Sequence, residues 1–230
     1  AEYHGDAGPI SIRRYPEAEL LEQHKAFLES ARSLGYPYCD DANAPDSTGA
    51  GPHPMNKLGR MRVSCAMGYL APARARPNLT IESNSFVRRL IVEGDRCTGV
   101  EVERDNGLIE LVRARSVVLS AGAIMSPAIL KRSGVGPRRE LEKFGIDVIR
   151  DTSGVGGNLC DHPALAISCV AKDPSIIDAD QPLMQTILRY TAAGSDKRND
   201  LQIELLSFGA NRQGHASFAI AAVLEYTFGR

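Results

Sequence analysis

The strongest constraint on the fold lies between Leu79 and Ser120. Residues 79–82, 86–93, 98–104 and 108–113 are rich in β-forming side chains, and breaks fall on Gly94-Asp95 and Asn106-Gly107. Gly, Asn and Asp tolerate the positive φ that tight antiparallel turns need, so this pattern predicts a β-meander. At Val117, Val118 and Leu119 the alternation stops and apolar residues run consecutively. A strand of that kind is covered on both faces, as in a parallel sheet. Ser120-Ala121-Gly122 follows. Ser126 can then cap a helix with Pro127 at its first position, and Gly134 can end it in the left-handed conformation. Residues 138–144 predict a second short helix closed by Gly145, and residues 146–149 a strand.

A strand that ends in small residues lets a ligand approach the backbone closely. The helix start that follows offers free N–H groups and a positive dipole end. In open α/β sheets ligands lie beyond the carboxyl ends of strands. Ser120, Ala121 and Gly122 can therefore face a phosphate-bearing ligand. Close packing of helix on sheet explains the same small residues and, on the residues alone, is the favoured reading.

The flanking regions read as a second, mixed set of elements. Residues 9–14 predict a strand. Residues 16–34 predict an amphipathic helix with Leu20, Leu21, His24, Phe27, Leu28 and Ala31 on its apolar face and Gly35 at its stop. His24 on that face reads as a packed core residue. Residues 36–59 are rich in Pro, Gly, Asn and Asp and predict a long loop, either a cover for a site or a surface excursion. A helix is expected at 64–70, ending before Pro72. Beyond Pro163, strands at 164–171, 201–208 and 218–226 flank a helical segment near 182–190.

The 230 residues allow one large or two small domains, burying roughly 70% of the unfolded surface. A net charge of -1 with no basic face removes the electrostatic argument for nucleic acid. No apolar run approaches the ~20 residues of a membrane span. The five cysteines are widely separated, without a CxxC pair, which fits free thiols in a reducing cytoplasm. No His, Asp or Glu cluster has metal-ligand spacing.

"SAGAIMSPAILKRSGVGP" (120–137) is similar to the second signature segment of the glucose–methanol–choline (GMC) flavoprotein oxidoreductases. Other pieces follow that family's order. "HGDAGPISI" resembles its strand after the N-terminal flavin region, and "GRMRVSCAMGYLAPARARPNLTI" its segment ending in RPNLT. "RRLIVEGDRCTGVEV" resembles its hairpin near the adenine. "GVGGNLCDHP" resembles its GVG-NL-QDHP loop, with Cys160 where Gln is common.

The resemblance implies an α/β (α+β) fold. It would hold part of an FAD-binding sheet domain with the meander, and part of a substrate-binding domain with an antiparallel sheet. Residues 61–158 fall in the first, and 1–60 and 159–230 in the second. It implies FAD as cofactor and oxidation of a small-molecule alcohol to a carbonyl, by hydride transfer to flavin. Val87 matches the family residue whose backbone meets the adenine. Ala121 and Gly122 match the turn near the cofactor. Asn158 and Asp161 are further cofactor-site candidates through their loop; a turn residue and a helix cap are their structural alternatives.

Two family parts have no counterpart here: the GxGxxG fingerprint and the C-terminal catalytic histidine region. No catalytic residue therefore carries over. The expectation is a middle portion of such an enzyme that does not turn over alcohol by itself. The alternative is a non-catalytic binding module without flavin.

Overall fold

The computed structural model describes residues 4–210 and 216–226. The chain forms two compact units. Of the described residues, those up to Leu79 and from His162 form one, and Thr80–Asp161 form the other. The family resemblance puts the divisions at 60/61 and 158/159.

The first unit is built on a five-stranded sheet in the order Gly49–Pro52, Thr186–Tyr190, Leu201–Ala210, Ala216–Leu224, Ala164–Val170. All four pairings are antiparallel. The helix Glu22–Ser33 lays Phe27, Leu28 and Ala31 against Ala50, Leu188 and Ile203, and this is the unit's apolar core. Gly35, at φ 89°, ends that helix as expected.

Several expectations are corrected in this unit. Helix was expected from residue 16, but Pro16 opens a single 3₁₀ turn, Glu17–Glu19, and the long helix starts at Glu22. The fully buried Gln185 side chain explains the break. Its amide oxygen accepts the Leu21 N–H (2.8 Å) and its amide nitrogen donates to the Glu19 carbonyl (3.0 Å), replacing two helical bonds. The helix expected near 182–190 is instead the inner strand Thr186–Tyr190. Thr186, Ile187 and Leu188 are all buried between neighbours, and a short apolar run of this kind carries no period to tell helix from strand. The long loop contains the edge strand Gly49–Pro52 and the first strand of the small hairpin Lys57–Leu58/Met61–Arg62. Residues 9–14 form no strand, only one bridge between Arg13 and Met55. The helix expected to stop before Pro72 widens into π turns over Ala66–Leu70 and runs on through Ala71–Ala73. The Ala71 N–H reaches back to the Ala66 carbonyl, and Pro72 has no N–H to lose.

His24 is fully buried, as its place on the apolar face suggested. Its Nδ1 lies 2.7 Å from Thr186 Oγ1 and its Nε2 2.8 Å from Ser207 Oγ, so one imidazole joins the helix to two strands. Burial pushes its pKa down from 6.5 to about 4.

The outer strand Ala164–Val170 carries no charge and no proline, the usual guards of a sheet edge. Ile167 is 62% exposed and Leu165 70%. We expect the purified 230-residue chain to self-associate through this edge. Ile167→Lys should raise the monomer fraction in light scattering at matched concentration. An unchanged distribution would rule the edge out as the contact.

The second unit opens with the predicted meander: Ser85–Glu93, Arg96–Arg104 and Ile109–Arg113, paired in sequence order. Residues 79–82 are not a strand; the ladder begins at Ser85, after Asn84 at φ 53°. The strand expected at residues 116–120 is not formed: no described segment pairs with them, and Val118 is 87% exposed rather than covered. The parallel sheet expected there is not formed by the described residues. The helices Gly122–Arg132 and Arg138–Lys143 follow. In place of a strand at 146–149 there is a two-residue parallel ladder, Val135–Gly136 with Arg150–Asp151.

Candidate functional site

The helix Gly122–Arg132 organises the candidate site within the second unit. It starts earlier than expected. Gly122, at φ 85°, turns the chain directly into the helix, and Pro127 lies inside it. Ser126 is therefore not the N-cap. It works from within the first turns instead, its Oγ accepting the Ala121 N–H at 3.0 Å. The N–H that Pro127 lacks is the one that would have reached the Ala123 carbonyl, so an early proline costs this helix one bond.

The other end of the helix is fastened to the first meander strand. Arg132 donates from Nε to the Arg88 carbonyl (2.6 Å) and from Nη2 to the Val87 carbonyl (3.2 Å), and its guanidinium lies 5.4 Å from the Phe86 ring centre. The strand register shifts between Val87 and Arg89, which turns both carbonyls toward one donor. Ser133 Oγ accepts the Leu90 N–H (2.7 Å) and donates to the Ile129 carbonyl (2.6 Å). Ser133 is buried, so Ser133→Ala would leave the Leu90 N–H without its partner. The expected loss is about 1–3 kcal/mol, read from the urea midpoint of the second unit. A shift below about 0.5 kcal/mol would mean that water replaces the hydroxyl.

Along the N-terminal half of the helix runs a groove of about 540 Å³, lined by Ala123, Ile124, Pro127, Ala128, Gly157 and Asn158, among others. Lys131 closes one side and is held by Glu140, with Nζ–Oε distances of 2.8 and 2.9 Å. Asn158 sits in the left-handed region at φ 55°, a conformation its short amide tolerates.

Four of the five candidate residues cluster in sequence around this groove. Asn158 lines it, Ala121 and Gly122 lead into Ala123, and Asp161 follows the lining residue Cys160 without lining the groove itself. Val87 is half-buried at the far end of the eleven-residue helix, about 16 Å away along its axis. The two residues that bind this arrangement together, Arg132 and Ser133, were not legible as such. Both lie in the signature segment, but nothing there names a partner strand some forty residues earlier.

A sequence model of the GMC oxidoreductases matches residues 4–164, well over half of the chain. The chain belongs to the GMC oxidoreductase family. It is 39% identical over 204 residues to an uncharacterized GMC-type oxidoreductase of Rhodococcus erythropolis, covering 85% of this chain and 41% of the relative. It is 43% identical over 176 residues to oxygen-dependent choline dehydrogenase 1 of Chromohalobacter salexigens, covering 75% and 31%. Among solved structures, pyridoxine 4-oxidase from Mesorbium loti superposes with a TM-score of 0.81 at 28% identity, over 96% of this chain and 45% of that one. This GMC chain thus spans less than half the length of the proteins it matches.

The five GMC-chain cysteines are free thiols, and no helix among the described residues is long and apolar enough to cross a membrane.

Proposed function

We propose that this chain is the central portion of an FAD-dependent alcohol oxidoreductase. In this reading the Thr80–Asp161 unit contributes part of the flavin site, and the antiparallel sheet unit contributes part of the substrate side. The observation that carries it is the groove beside the Gly122 helix start, with Asn158 on its wall and Val87 tied to the helix's other end by Arg132.

The residues present fit one stretch of such a cofactor. Ala123, Ala128 and Gly157 keep the groove shallow-walled and admit a flat or phosphate-bearing group against the backbone. The helix start gives that group a positive dipole end. Asn158 offers an amide on the opposite wall. Val87 lies on the half-buried strand, where the backbone can flank a planar ring while its carbonyl is held by Arg132. When bound, FAD supplies the acceptor for the hydride of the alcohol carbon. The part of these residues is to bind and orient; none of them stands as a base for the hydroxyl proton.

Choline and pyridoxine, the compounds that name two of the relatives, differ in charge and shape, so the substrate is left as a small alcohol. The reading is tested by expressing the longest open frame that contains this segment. The expected result is stoichiometric flavin in the purified protein, weakened about tenfold or more by Gly122→Val, which removes the positive-φ turn. The 230-residue chain by itself should show no alcohol-dependent dye reduction. A longer protein that carries no flavin and takes none up would favour the non-catalytic binding module.

A further inference from the structure

We infer that the cavity around Tyr15 in the first unit is a binding site for a compact anion, a carboxylate or phosphate group. The cavity measures about 640 Å³, within the range of small-molecule sites. It is lined by Arg13, Tyr15, Glu19, Lys57, Arg60 and Gln185, among others.

Its charges do not balance around Tyr15. Tyr15 is 5% exposed, and two cations stand on its ring: the Arg13 guanidinium 5.0 Å and the Lys57 ammonium 4.9 Å from the centre. Glu19 is the one carboxylate paired with them, and it pairs with Arg13. Lys57 donates to the Tyr15 hydroxyl and has no carboxylate within ion-pair distance among the described residues. The Gln185 amide is turned to the Leu21 N–H and the Glu19 carbonyl instead. At the mouth Arg60 binds the Asp180 main chain, and its own ion pair to that residue, at 3.8 Å between largely exposed groups, contributes little.

Two like charges on one buried ring repel each other, and the phenol satisfies only one of the three N–H donors of Lys57. An oxyanion in the cavity would take the remaining Lys57 donors and face Arg13, forming charge-assisted hydrogen bonds. The same positive excess disfavours a cationic ligand.

The test is an amide NMR titration of the chain with sodium phosphate, and separately with sodium acetate, at constant ionic strength. Saturable shifts at Arg13 and Lys57 are expected. Lys57→Met should weaken binding about tenfold or more, while Lys57→Arg should hold it within about threefold. Saturation by phosphate assigns a phosphate group and saturation by acetate a carboxylate; either supports the site. Shifts that rise linearly with both salts, or a Lys57→Met variant that binds as tightly as the parent, would overturn it. Arg60→Gln, at an exposed position, guards against misfolding of the first variant and should weaken binding about twofold.

Discussion

Acidification from pH 6.5 to about 4 is expected to strip about 3 kcal/mol from the stability of the first unit through His24 alone. The sign follows from where the proton goes. In the unfolded chain the imidazole takes a proton as pH falls through 6.5, whereas in the folded unit burial delays this until about 4. Across that window the unfolded state binds more protons, so stability drops as the pH is lowered and is fully present only above 6.5. The ring meets two hydroxyls, Thr186 and Ser207, and no carboxylate that would favour the imidazolium. His24→Leu separates this from the general titration of carboxylates. At neutral pH the variant should lose about 2–5 kcal/mol, because two buried hydroxyls are left unpartnered. Near pH 4 the gap between parent and variant should shrink by about 3 kcal/mol, since leucine has no proton to take up. Urea unfolding at both pH values reads the result. A gap that stays constant would mean that the folded unit accommodates a charged His24.

What was legible depended on whether a residue's reason for being there lay nearby in sequence. The meander could be read because Gly94-Asp95 and Asn106-Gly107 announce its turns locally, and both were found between the predicted strands. The helix stops at Gly35 and Gly145 were legible for the same reason. The Thr186–Tyr190 strand was not, because its identity comes from neighbours at Gly49–Pro52 and Leu201–Ala210. The helix expected from Pro16 was cut at Leu21 by Gln185, 164 residues away. Neither signal exists in a local window.

Residues 116–120 make the same point in reverse. Their apolar run was read as a strand covered on both faces, and among the described residues nothing pairs with them. In the proposed function those partners belong to the remainder of a longer protein. At the candidate site, the motif gave the residues around the groove, Gly122 and Asn158, but not what braces them. Ser-Pro is a strong helix-start signal and points to Ser126 as the cap, but the positive φ of Gly122 starts the helix four residues earlier.

Gly134→Ala should be among the most damaging single-methyl changes in the second unit, and the reason separates two effects often merged. Gly134 sits at φ 80°, where a side chain costs about 1–2 kcal/mol. A Cβ there would also stand 2.4 Å from the Asp147 carbonyl oxygen and 3.2 Å from the Ile149 nitrogen. Both are main-chain atoms, so relief requires moving the 147–149 segment. That segment is bound to Gly134 itself, whose carbonyl accepts from Ile149 N–H (2.9 Å) and Arg150 N–H (3.0 Å) at the head of the parallel ladder. Strain and lost bonds together should exceed about 3 kcal/mol, a large part of the 5–15 kcal/mol that holds a typical domain. Gly145 supplies the control. It has a similar φ of 66°, but a Cβ there meets nothing within 4 Å. Gly145→Ala should therefore cost only the conformational part, about 1 kcal/mol. Urea midpoints of the two variants measure the difference. If they match, the close approach to Asp147 contributes nothing and the glycine serves only its backbone angle. If Gly134→Ala is the far weaker protein, this part of the signature segment is scaffolding. Its Ser-Gly pair then holds the helix, the 147–150 segment and the Val87 strand in one piece, and its effect on any bound flavin passes through that geometry.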